Sequence, residues 1–237
     1  MSEQKHLMIF GAHCGDGELQ AGAIAAKYVR AGHKVTFLSL TAGEKGTPKN
    51  VSVEEYRKQK ISESKKAADI IGADTITLDY KDAELKFSDD IINQVAKIVR
   101  EIRPDLVITH WINSIHSDHA LCPRIMEAVQ LKAGLPGFDF EGLEPKFFRI
   151  FHSENWEDMY EYLPDVFVDV SDVFDIYLKA ISQYWFVMHS ESFDYYDYYK
   201  ALGRVHGCTS RVKYAQSLKF PVGSNVHRGE SIPGFNL

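Results

Sequence analysis

Four times within its first 135 residues the chain repeats one unit: a short apolar run, a loop, then a stretch with helical periodicity. The runs at 7–10, 35–40, 75–78 and 106–109 are continuous rather than alternating, which predicts strands covered on both faces. The helical stretches, near 19–31, 52–71, 91–103 and 119–132, carry their own punctuation. Gly32 and Gly72 stand where a left-handed residue closes a helix, Ser52 with Glu55 forms a capping box, Ser88 can cap the third helix and Pro104 ends it. Pro123 falls in the first turns of the fourth helix and Gly134 just past its end. This alternation predicts an α/β fold of Rossmann-like type, a mostly parallel sheet with helices on both faces. Further strands are expected at 147–151 and 166–170, and a largely helical stretch over 171–206, with Asp172 able to cap its start. No linker or internal repeat divides the chain, so residues 1–237 read as a single domain with an irregular tail from about residue 220.

The composition is that of an ordinary folded chain, 45% hydrophobic and 25% charged. A net charge of −6 without a basic block argues against nucleic acid or an anionic membrane as a partner and points to a small-molecule ligand. Ten histidines stand beside only three cysteines without paired spacing, so any metal site has to use imidazole and carboxylate. The polar N-terminus and the lack of a long apolar run predict neither a leader nor a membrane span, hence a cytoplasmic protein.

Two loops concentrate unusual chemistry. Gly11-Ala12-His13-Cys14-Gly15-Asp16-Gly17-Glu18 follows the first strand, and His110-Trp111-Ile112-Asn113-Ser114-Ile115-His116-Ser117-Asp118-His119 follows the fourth. In a sheet of order 3-2-1-4 these strands are neighbours, and both loops open on the crevice at the carboxyl edge where such folds bind ligands. His13 and Asp16 from one loop and His119 from the other then offer two imidazoles and a carboxylate, a set suited to Zn²⁺ with a fourth position left open. Plainer roles exist for each: Asp16 as a helix cap, His13 as a turn residue, His116 and His119 as exposed loop side chains. A dinucleotide fingerprint is a rival reading of Gly15-Asp16-Gly17. It fails because Gln20 stands at the third glycine and Leu40-Thr41 supplies no acidic ribose ligand.

The two loops resemble those of the PIG-L/LmbE-like metal-dependent de-N-acetylases, which read Ala-His-Pro-Asp-Asp-Glu and His-Pro-Asp-His. The similarity extends to Gly43-Glu44-Lys45-Gly46, to the helix over 60–72 and to Tyr214-Ala215-Gln216, covering about residues 7–218. The resemblance implies the LmbE-like form of the fold and a Zn²⁺ or other divalent transition metal held by His13, Asp16 and His119. It implies hydrolysis of an N-acyl group, chiefly N-acetyl, on a sugar or sugar-containing metabolite. His116 would stabilise the oxyanion or protonate the leaving amine, and Asp118 would orient an imidazole. It also implies a homo-oligomer, a trimer or hexamer.

The chain departs from the family pattern at the general base. Gly15 occupies the place of the first Asp of the pair, Cys14 that of Pro and Gly17 that of Glu, while Lys60 replaces an Arg that contacts substrate in the family. Loss of a positioned base costs roughly 10²–10⁴ in rate, so the alternative expectation is a metal- and ligand-binding pseudoenzyme. Glu44, Asp82 and Asp118 are the nearest carboxylates by loop position, and Cys14 would be a nucleophile only with a lowered pKa. The aromatic clusters at 184–186 and 195–199 read as helix core, with a cleft wall or a subunit interface as the functional alternative.

Overall fold

A computed structural model of the chain describes residues 4–157 and 160–221. Seven strands, β1 (His6–His13), β2 (Lys34–Thr41), β3 (Asp74–Thr77), β4 (Leu106–Thr109), β5 (Arg149–Ser153), β6 (Val166–Asp169) and β7 (Ala215–Lys219), form one sheet of order β3-β2-β1-β4-β5-β7-β6. The first five are parallel, and β7 runs antiparallel to both β5 and β6. Helices cover both sides. Along β1, Leu7 and Ile9 face the core beneath α1 (Asp16–Arg30), α2 (Val53–Ile71) and α5 (Phe174–Ile181). Met8 and Phe10 face the opposite core beneath α3 (Asp89–Ile102) and α4 (Ser117–Gly134). Burial on both faces explains the unbroken apolar run, and truncating Ile9 to Ala would cost about 2–5 kcal/mol.

Local signals set the helix ends. The Ser52 side chain accepts from Glu55 N–H while the Glu55 carboxylate accepts from Ser52 N–H, a reciprocal cap whose serine is worth about 1 kcal/mol. Ser88 caps α3, and Arg103, in the left-handed region, closes it before Pro104. Helix α4 starts two residues before the expected position because His116 Nδ1 accepts the Asp118 N–H, and Gly134 is its last residue rather than the one beyond.

The C-terminal region meets expectation only in part. The stretch read as largely helical is three helices, α5, α6 (Trp185–His189) and α7 (Tyr195–Ser210). Asp172 does not cap α5: the preceding residue is Val173, and Asp172 instead pairs with Lys27 and Arg30 on α1. Strand β7 has no apolar run, since Ala215, Gln216 and Ser217 are held by the sheet and by α1, where the Gln216 carboxamide accepts Ile24 N–H at 2.9 Å. Beyond Pro221 the expected irregular tail lies outside the described residues. The consequence for function is the adjacency of β1 and β4, which brings their two carboxyl-end loops onto one crevice.

Candidate metal centre and active-site cleft

His13 is the last residue of β1 and Asp16 the first of α1, with Gly15 between them at φ 103°. A Cβ on Gly17 would lie 2.9 Å from Ile9 and 3.0 Å from Phe37, so glycine lets the first turn of α1 press onto the sheet. That contact holds Asp16 over the strand end, where its Oδ2 accepts the His13 N–H at 2.7 Å. From the other side α4 brings His119 in its first turn and His116 at its cap.

His13 Nδ1, Asp16 Oδ2 and His119 Nε2 form a triangle with edges of 3.0, 3.2 and 3.3 Å. A tetrahedral ion with bonds of about 2.0–2.1 Å spaces its ligands at roughly 3.3–3.4 Å, so a divalent metal fits these atoms with little adjustment. The outer nitrogens of both rings turn to carboxylates. His119 Nδ1 lies 2.5 Å from Glu157 Oε1; His13 Nε2 lies 3.0 Å from Asp82 Oδ1 and 3.5 Å from Asp118 Oδ2. The Asp82 contact is ionic rather than in line, and His13 Nε2 is a buried nitrogen without a directed hydrogen bond. Asp82 and Asp118 are themselves fixed by the N–H groups of Lys45 at 2.8 Å and Ala83 at 2.9 Å. Carboxylates at the outer nitrogens favour ring protons there, so that a metal displacing the inner protons would meet both inner nitrogens beside Asp16.

The electrostatics favour positive charge at the centre. Burial opposes protonation of His119, but Asp16 and Glu157 outweigh it and push its pKa up to about 9; Asp16, Asp118 and Asp82 hold His13 well above the ordinary imidazole value against the same burial. Burial would raise Asp16, yet His119 and His13 keep it well below the usual carboxylate range. Burial would raise Asp82, yet its close contact with the His13 ring and that ring's charge bring it down to about 2.

His110, Glu157 and Asn155 had no assigned role in the sequence reading. His110 is fully buried and stacks on His119 with centroids 4.2 Å apart. Its Nε2 accepts Ala12 N–H at 3.1 Å and its Nδ1 meets Gln20 at 2.8 Å, while burial and then His119 push its pKa down to about 4. It is a neutral prop beside Asp16, and its place directly after β4 is the signal that could have found it. Glu157 and Asn155 reach His119 from the segment after β5, which carries no such signal.

His116 stands 4.5 Å from the His119 ring and 5.0 Å from the His13 ring. Its Nδ1 accepts Asp118 N–H, which favours the tautomer with the proton on Nε2, and burial followed by the charges of His119 and His13 lowers its pKa. A cleft of about 220 Å³ opens over these groups, with Tyr56, Lys60, Asp82, His116 and Phe186 in its wall. Of the three nearby carboxylates, Asp82 reaches the cleft wall and Asp118 stands behind His13. Glu44 turns away to Asp82 N–H and Arg57. Glu18 is buried beneath Tyr184 and Ser64. The Cys14 thiol is buried against Thr77, and burial pushes its pKa up, which leaves no thiolate to act as nucleophile. The aromatic clusters divide: Tyr184 and Tyr199 are core, whereas Phe186 forms cleft wall. A Cβ on Gly15 would lie 3.1 Å from Phe186 Cε1 and Cζ, so this ring fills the space beside the position where the family carries an Asp.

The chain is also similar to known proteins. The chain is 28% identical to diacetylchitobiose deacetylase of Thermococcus kodakarensis over 95% of its length and 86% of the relative's. It is 25% identical to 4-oxalmesaconate hydratase of Pseudomonas putida over 75% of its length and 72% of that protein. The crystal structure of 4-carboxy-2-hydroxymuconate hydratase from Pseudomonas putida shares the fold with a TM-score of 0.85 at 21% identity, covering 96% of this chain and all of that one. Residues 8–130, just over half of the 237, match the PIG-L family, described as GlcNAc-PI de-N-acetylase, and the chain belongs to that family.

Proposed function

We propose that the protein is a zinc-dependent amide hydrolase that removes an N-acyl group, chiefly N-acetyl, from a sugar or sugar-containing metabolite. One observation carries the reading: two imidazoles turn their outer nitrogens to carboxylates while their inner nitrogens converge with Asp16 Oδ2 at 3.0–3.3 Å. His13, Asp16 and His119 are the ligands, and zinc bound there supplies electrophilic activation of water and of the acyl oxygen. Glu157 fixes the His119 ring; Asp82 and Asp118 fix that of His13. His116 carries its proton on Nε2 in the cleft, placed to donate to the developing oxyanion or to the departing nitrogen. In the net reaction water oxygen forms the new bond to the acyl carbon, the C–N bond breaks, and the nitrogen leaves as an amine.

A second reading is favoured by Gly15. With no carboxylate at that place and Phe186 beside it, the cage would serve a metal- and ligand-binding protein without hydrolytic turnover. The test is acetate release from a panel of N-acetylated hexosamine conjugates by protein loaded with one zinc per chain, with 4-oxalmesaconate, the compound named for a relative, followed in parallel. Turnover of a sugar amide supports the first reading. Stoichiometric zinc with no acetate from any conjugate supports the second.

A further inference from the structure

Two buried carboxylates converge on one ring nitrogen. His13 Nε2 lies 3.0 Å from Asp82 Oδ1 and 3.5 Å from Asp118 Oδ2, and a ligand atom from each residue lies within 4.8 Å of the other two. His13 is 8% exposed, Asp82 6% and Asp118 2%, and Nε2 has no directed hydrogen bond. Orienting an imidazole takes one carboxylate, as Glu157 does for His119. At His13 the second carboxylate is surplus to that task, and a buried charge without a full partner is costly. The backbone fixes both carboxylates in place: Lys45 N–H donates to Asp82 Oδ2 at 2.8 Å and Ala83 N–H to Asp118 Oδ2 at 2.9 Å. An octahedral ion with bonds of about 2.1 Å spaces neighbouring ligands at roughly 3.0 Å, so the observed separations suit one. Asp82 lines the cleft, which gives an ion a way in and room for water to complete its coordination.

We propose that His13 Nε2, Asp82 Oδ1 and Asp118 Oδ2 form a second divalent-cation site, which competes with the cage of His13 Nδ1, Asp16 and His119 for the shared ring. The site itself stands on these three residues, and only the competition rests on the zinc reading above. The two sites differ in chemistry. The inner one offers two imidazoles and a carboxylate and favours zinc, whereas the outer one offers one imidazole and two carboxylates and favours a harder ion such as Mn²⁺. A neutral imidazole has one lone pair to give. With the ring proton on Nε2 that lone pair faces Asp16. With it on Nδ1, Asp16 Oδ2 at 3.2 Å can accept the proton, and the lone pair faces Asp82 and Asp118. An ion in the outer site therefore takes a ligand from the inner one.

The experiment measures zinc affinity of the full chain with a zinc-selective chromophoric chelator, with and without millimolar Mn²⁺. In the wild type Mn²⁺ should weaken zinc binding about tenfold, and in Asp82→Asn/Asp118→Asn protein it should have no effect. No weakening in the wild type overturns the proposal. Competition that persists in the double variant places Mn²⁺ in the inner cage and overturns it too. A second arm uses Asp16→Asn/His119→Gln protein, which keeps one ligand of the inner cage. It should still take up one Mn²⁺ per chain, read as loss of the free-ion EPR signal, and adding Asp82→Asn should weaken that uptake about tenfold or more. Thermal melts of the variants report folding separately, and uptake indifferent to Asp82→Asn counts against the site. Zinc and Mn²⁺ competing as expected with no acetate release sustains the second site and counts against the hydrolase. Acetate release under limiting zinc that Mn²⁺ leaves unchanged does the reverse.

Discussion

The pairing of Gly15 with Phe186 can be measured. Gly15 has φ 103°, and a Cβ there would come within 3.1 Å of two Phe186 ring atoms, while Tyr184 at 3.4 Å is an ordinary contact. Gly15→Ala should therefore carry two costs: backbone strain of about 1–3 kcal/mol and overpacking against the ring of about 1–3 kcal/mol. In a Phe186→Ala background only the strain remains, so the two changes should couple by about 1–3 kcal/mol. Urea unfolding of the wild type, both single variants and the double variant gives that coupling directly. The same geometry governs catalysis. Gly15→Asp alone should raise acetate release little, because its carboxylate competes with Phe186 for space. With Phe186→Ala added, the carboxylate has room, and a gain on the order of 10²–10⁴ in kcat is expected where a base was lacking. A coupling below about 0.5 kcal/mol, or Gly15→Asp as active alone as in the double variant, would refute the reasoning.

Glu157→Gln should weaken zinc binding about 10–100-fold with the fold intact, since it removes the carboxylate that orients His119; competition with a chromophoric chelator reads this. The metal-free protein should be most stable near pH 6.5, since His110, lowered to about 4, contributes stability that is full above about 6.5 and is lost as pH falls through 4. His119, raised to about 9, contributes stability that is full below the unfolded value of about 6.5 and is lost as pH rises through 9. Asp82, lowered to about 2, contributes stability that is present above about 3.8 and is lost as pH falls through 2. Chemical unfolding at pH 5, 7 and 9 checks the alkaline arm, and saturating zinc should remove the loss between pH 7 and 9. A flat profile without metal would contradict the charge balance drawn at the centre.

Much of the fold was legible because the signals that set it are local. Continuous apolar runs specify doubly covered strands, Ser52 and Ser88 specify helix starts through their own side chains, and Pro104 stops a helix by its chemistry. Even the meeting of the His13 and His116–His119 loops was readable, because the connection rules of α/β sheets place strands one and four side by side. Where packing rather than periodicity defines an element, the reading failed. β7 has little apolar content and is held by antiparallel pairing to β5 and β6 and by Gln216 reaching α1.

The sequence by itself determined the alternating α/β framework, the two chemistry-bearing loops and the absence of a carboxylate at residue 15. Only the tertiary structure decided what surrounds them. Glu157 meets His119 from 38 residues away, Asp82 meets His13 from 69 away, and Phe186 comes to lie against Gly15 from 171 away. The physical reason is that a cap or an apolar period acts between neighbours in the chain, whereas ring orientation, burial and charge balance at a site depend on groups brought together by packing.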